Sequence, residues 1–165
     1  MSTPHDFDFL HGDWHGAHRR RAGFLDPDSP WGPEFTSTSH CRPLFDGAAN
    51  IDEIDMPHLG SKGLTLRLFD PSTRLWSLHW SSSTTGRLFP PVVGAFVGGR
   101  GEFHGDDTYE GEKVRVRFVW SGVSEASARW EQAFSVDGGD TWVTNWIMEF
   151  TRPPTALPVS GTPGA

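Results

Sequence analysis

The sequence predicts an all-β fold, an up-and-down antiparallel β-barrel of about nine to ten strands. Three observations carry that expectation. Period-two alternation of apolar and polar residues recurs from Trp14 to Phe150, and no stretch of ten or more residues carries a helical stripe. Short turns alternate with longer connections along the chain. Aromatic residues make up 13% of the 165 residues, with eight Trp against one Tyr, so the chain holds an unusual quantity of large, space-filling apolar side chains for one small domain.

The clearest strand places Val114, Val116, Phe118 and Trp120 on one face and Arg115, Arg117 and Val119 on the other. The same alternation gives Leu64, Leu66, Leu68; then Trp76, Leu78, Trp80; then Trp130, Gln132, Phe134; then Trp142, Thr144, Trp146, Met148, Phe150. Weaker strands are expected over residues 13–22, 34–42, 47–56 and 92–104, the last interrupted at Gly98 and Gly99, where a bulge or sharp bend fits. That makes about nine strands in one domain over residues 1–152. The stretch 153–165, with four prolines and two glycines, is expected to be a disordered tail.

Tight turns are expected at Phe45-Asp46-Gly47, at Asp70-Pro71-Ser72-Thr73 and at Val136-Asp137-Gly138-Gly139, and longer connections over 23–33, 57–62, 83–91 and 121–126. Every second connection of a meander lies at the same end, so the tight turns gather at one end and the long loops at the other, as in a cup. Residues Ser135 to Trp142 match the Asp-box pattern Ser-x-Asp-x-Gly-x-Thr-Trp, in which the Asp ties back onto the turn and the Trp packs beneath. A single copy without a blade-length repeat reads as a rigid hairpin and not as a catalytic element.

Charge excludes several functions. The formal net charge is -7, and the only basic run is Arg19, Arg20 and Arg21 beside His18. Nucleic acid and anionic membrane are therefore not expected partners. No window reaches the roughly 18 apolar residues of a membrane span, and the start of the chain lacks a signal-peptide pattern, so a cytoplasmic location is expected. The single Cys41 reads as a core residue in a reducing compartment. The histidines are poorly spaced for a metal on strands, so no metal is expected. Gly98-Gly99-Arg100-Gly101 opens no helix and is no phosphate loop.

The segment Phe9-Leu10-His11-Gly12-Asp13-Trp14 carries a Gly-x-Trp that resembles the opening of the first strand in lipocalins and other calycins. Together with Leu75 to Trp80, Pro90 to Phe96, Gly99 to Phe103, Arg129 to Ser135 and the pair Asn145-Trp146, it resembles a bacterial family of lipocalin-like proteins over roughly residues 7–152. The resemblance implies a calycin-type barrel with Trp14 closing its narrow base, and it brings no established reaction. Haem, which some calycins carry, would need an axial His inside the barrel, and the last His is His104. No cofactor is expected.

With Trp14 at the floor, Gly16, His18 and Arg20 share its inward face, His18 about 13 Å and Arg20 about 20 Å above it at roughly 3.3 Å per residue. If the aromatic faces turn inward, Trp80, Trp120, Trp130, Gln132, Thr144 and Trp146 join them as candidate ligand contacts. An apolar cavity with few polar groups is the composition of a small-molecule site, whereas the same residues could also fill a solid core. Two functions follow from a hollow barrel. One is binding of a small, largely apolar, carboxylated or aromatic metabolite, with Arg20, His18 and Gln132 as polar contacts. The other is a cofactor-independent cyclase, isomerase or lyase in which His18 moves a proton and Arg20 holds an anion. The bland reading of the pair is a His bonded to backbone and an Arg reaching solvent. Phe24, Trp31, Arg87 and Phe89 on the long loops would form a lid or a homodimer contact.

Overall fold

The computed structural model describes residues 1–154; the tail expected from residue 153 falls, beyond residue 154, outside the described residues. Ten strands close into one antiparallel barrel in chain order, β1 meeting β10. They are β1 Gly12–Arg20, β2 Phe35–Leu44, β3 Ala49–Met56, β4 Ser61–Asp70, β5 Leu75–Ser82, β6 Val92–Val97, β7 Arg100–Tyr109, β8 Glu112–Ser121, β9 Ser127–Ser135 and β10 Val143–Thr151.

The tenth strand comes from the stretch expected to be one bent strand over 92–104. Gly98 and Gly99 take φ of +59° and +79° and make a two-residue hairpin turn between β6 and β7, since only glycine accepts both left-handed positions without strain. The extra hairpin matters for closure. Nine up-and-down strands would bring first and last together in parallel, whereas ten let β1 pair antiparallel with β10. It also reverses the ends to which later connections go. The segment 122–126 lies at the end where β1 begins, and the Asp-box turn lies at the opposite end, with the connections 21–34, 57–60 and 83–91. Long loops thus do not all share one end.

The end where β1 begins is solid. The first eleven residues fold back into it, through a turn in which Asp6 accepts from Ser2, from the Thr3 amide (2.7 Å) and from the Thr3 hydroxyl (2.7 Å). Phe7 follows, 1% exposed, edge-on to Trp76 and Phe96 at 5.0 Å and stacked on Phe103 at 5.7 Å. Trp76 donates to the Thr3 carbonyl, and Trp14 donates to that of Leu10. The Arg152 guanidinium lies 3.8 Å from the Trp14 ring centre and donates to the carbonyls of Asp13 and Phe9, tying the end of β10 to the segment before β1 over the floor.

Strand β4 carries its leucines on the outside. Phe69 stands opposite Trp76 and Arg67 opposite Leu78, and directly opposed residues share a face, so Thr65 and Arg67 point inward while Leu64, Leu66 and Leu68 face out. An inward arginine is sustained by partners: Arg67 Nη1 donates to Asp52 Oδ2 and, at 2.9 Å, to Asn50 Oδ1, all within the barrel.

Candidate functional site

Above this floor the barrel is hollow. A cavity of about 400 Å³ lies in the half toward the β1–β2 loop, within the size range of small-molecule pockets. Its walls are apolar: Met56 from β3, Leu78 and Trp80 from β5, Val116 and Phe118 from β8, Phe134 from β9 and Trp146 from β10. Polar side chains are few and grouped. Arg20 and Gln132 sit on one wall, Ser61 and Ser82 on another, and Asp107 and Tyr109 stand near the rim. Space for the Trp80 ring comes from Gly63, where a Cβ would stand 1.8 Å from the indole.

Arg20, Trp146 and Gln132 are directly opposed across β1, β10 and β9, so they form one level of the wall. The Arg20 guanidinium lies over the Trp146 ring at 4.4 Å and over Phe24 at 4.9 Å. Among the described residues it has no carboxylate partner, and its Nε is buried without a hydrogen bond. Burial lowers its pKa from the ordinary arginine value, with nearby Tyr109 acting in the opposite sense, and it stays charged.

His18 is fully buried and sits behind the Trp146 ring, outside the cavity lining. Trp146 Nε1 donates to His18 Nδ1 at 3.1 Å, so the ring proton resides on Nε2, which bonds Ser37 Oγ at 2.7 Å. Burial first, then the Arg20 cation, push its pKa down to about 4. A neutral imidazole with both nitrogens engaged orients Trp146. It does not present a base to the cavity.

The remaining expected contacts divide. Trp80 and Trp146 line the cavity together with Arg20 and Gln132. Trp120 and Trp130 lie lower, around a separate void of about 40 Å³, room for roughly one water, bordered by Cys41, Asp52, Thr65 and Arg67. Burial raises the Cys41 thiol to about 11, in keeping with an inert core residue. Thr144 faces away from the cavity. The register shifts between Thr144 and Trp146, so Thr144 opposes Ala133 on the same face as Arg117. That bulge turns Asn145 inward, a residue the even alternation of Trp142, Thr144 and Trp146 concealed. Asn145 is fully buried, accepts from Gln132 Nε2 at 2.9 Å and donates through Nδ2 to the Phe24 carbonyl at 3.2 Å.

The rim is asymmetric. Loop 21–34 is tied down: Arg21 donates to the carbonyls of Thr144 and Ser29, and Ser29 accepts from the Gly23 amide. Its Phe24 is therefore a buried part of the wall, stacked on Tyr109 at 5.5 Å, and not an exposed lid residue. Trp31 lies outside, against Arg21. On the other side β5 pairs with β6 only through Trp76, Ser77 and Leu78. Above them the gap between β5 and β7 is covered by Leu88, Phe89 and Pro90, held by the Phe89 amide on the Trp80 carbonyl, with Leu88 62% and Phe89 37% exposed. At the rim, Asp137 of the Asp box accepts from the Thr141 amide and hydroxyl and from Ser135, which hold its carboxyl well below the usual range, and Trp142 donates to the Gly139 carbonyl. These bonds make the motif a structural turn. No group of three or more metal-ligating side chains occurs among the described residues, and no helix among them is long and apolar enough to cross a membrane.

A closed ten-strand up-and-down barrel with a cavity at one end defines a lipocalin-like, calycin-type fold. Comparison with solved structures agrees. The chain is similar to an S-type phycobiliprotein lyase, CPES, from Guillardia theta, with a TM-score of 0.60 over 94% of each chain at 10% identity, a likeness of fold alone. No protein family and no curated protein matches the sequence.

Proposed function

We propose that the protein binds a small, largely apolar carboxylic acid in the barrel cavity, with Arg20 taking the carboxylate and Trp80 and Trp146 contacting the apolar body. The observation that carries this reading is the Arg20 guanidinium, which faces the cavity without a carboxylate partner among the described residues. Arg20 is half-buried against aromatic rings without a counter-charge, and a ligand carboxylate supplies both the charge and an acceptor for its buried Nε. A lipocalin-like family resemblance and the fold shared with a lyase of phycobiliproteins are in keeping with a cavity used for a small molecule. The buried, lone Cys41 suits a reducing, cytoplasmic setting.

The alternative, a cyclase, isomerase or lyase driven by His18, has less support, since Trp146 and Ser37 already occupy both ring nitrogens. Titration with fatty and aromatic acids, followed by tryptophan fluorescence and calorimetry, tests the proposal. Carboxylates should bind and quench, their neutral amides should bind at least about tenfold more weakly, and Arg20→Met should erase that difference. A panel that changes neither fluorescence nor melting temperature overturns it.

A further inference from the structure

We infer that Gln132 is a specificity-determining residue of this cavity, presenting a fixed hydrogen-bond acceptor, so that the preferred ligand carries an N–H or O–H donor as well as its anionic group. The inference rests on the anion-anchored reading above and narrows the ligand class to acids with a donor on an otherwise apolar body.

A chain of hydrogen bonds fixes the amide orientation. The Phe24 carbonyl can only accept, so Asn145 must turn Nδ2 toward it. That leaves Asn145 Oδ1 facing Gln132, which must then turn Nε2 toward Asn145. Gln132 Oε1 is what remains, on a residue 9% exposed that lines the cavity. Rotating the Gln132 amide would set two carbonyl oxygens against each other in a buried contact. The bulge that buries Asn145 exists at this level of β10 alone, and it braces Gln132 from behind. Arg20 and Gln132 flank Trp146 on adjacent strands, so the donor and the anion of one ligand would reach them from opposite edges of the same indole.

An acceptor held in this way discriminates. A ligand lacking the donor leaves Oε1 unpaired against an apolar group, which weakens binding by roughly tenfold to a hundredfold.

The test uses indole-3-propionate, its N-methyl derivative and indole-3-propionamide as probes, measured by calorimetry on the full chain. The N–H acid should bind at least about tenfold more tightly than the N-methyl acid, and Gln132→Met should abolish that preference, weakening the N–H acid and relieving the penalty on the N-methyl acid. Arg20→Met should weaken both acids alike. Equal binding of the two acids to the wild-type protein, with both still weaker in Arg20→Met, overturns the role of Gln132 and leaves the anion anchor standing. Failure of both acids to bind, or amide binding equal to acid binding, overturns both. The wild-type comparison of the two acids needs no variant, so a poorly folding Gln132→Met would not shield the inference.

Discussion

Two inward arginines separate the lower half of the barrel from the upper. Arg67, on β4, is almost wholly buried, and its charge is matched by Asp52 with Asn50 beside it. Arg20, on β1, faces the cavity with aromatic rings below and beside it and no carboxylate partner among the described residues. The first is a cation whose charge is matched within the fold, although its Nε, like that of Arg20, is buried without a hydrogen bond. The second, under the proposed function, takes its counter-charge from the ligand. Burial alone would have ranked Arg67 as the functional residue; the counter-charge reverses the order, because Asp52 already neutralises Arg67 while no carboxylate of the described residues neutralises Arg20.

Substitutions should break this contrast unequally. Arg67→Met removes one half of a buried pair and strands Asp52, so it should cost about 3–5 kcal/mol in chemical denaturation, and adding Asp52→Leu should recover most of the loss. Acid should act next, through His18. Its folded pKa of about 4 lies below the ordinary 6.5, so the unfolded chain binds the extra proton first. Stability from this group is complete above pH 6.5 and is lost as pH falls from there toward 4, on the order of 3 kcal/mol in all. His18→Gln should flatten that part of the stability profile. Arg20→Met should change stability by less than about 1 kcal/mol, since relief from desolvation offsets its lost ring contacts, while weakening carboxylates to the level of their neutral amides. A large loss of stability in Arg20→Met would erase the distinction between the two arginines.

The sequence made some strands legible and disguised others for identifiable reasons. In β8 the large residues, Val114 to Trp120, alternate with arginines, and the apolar face is the inner one. In β4 the rule inverts: the leucines face out, and the inner face carries Gly63, Thr65 and Arg67, chosen to admit the Trp80 ring and to meet Asp52. Alternation reports the period of a strand and leaves its sense to the neighbours. In the first strand the sense is legible because Trp14 orients it, and Arg20 on the same face lines the cavity. Tryptophans alone could not be sorted by depth, so Trp120 and Trp130, which pack the floor, looked no different from Trp80 and Trp146. Asn145 stayed hidden because a one-residue bulge leaves a run of alternating residues looking regular.

The short pairing between β5 and β6 gives the barrel a seam. Three opposed residue pairs join those strands, against nine between β7 and β8. Breathing of the wall will concentrate where the ladder is thinnest, and amide protons of upper β5 and of loop 83–91 will trade with solvent ahead of those in β7 and β8. With the opposite rim stitched down through Arg21 and Asn145, that seam is the more yielding side of the vessel, and under the proposed function it is the expected side door for a ligand, beside Phe89 and Pro90.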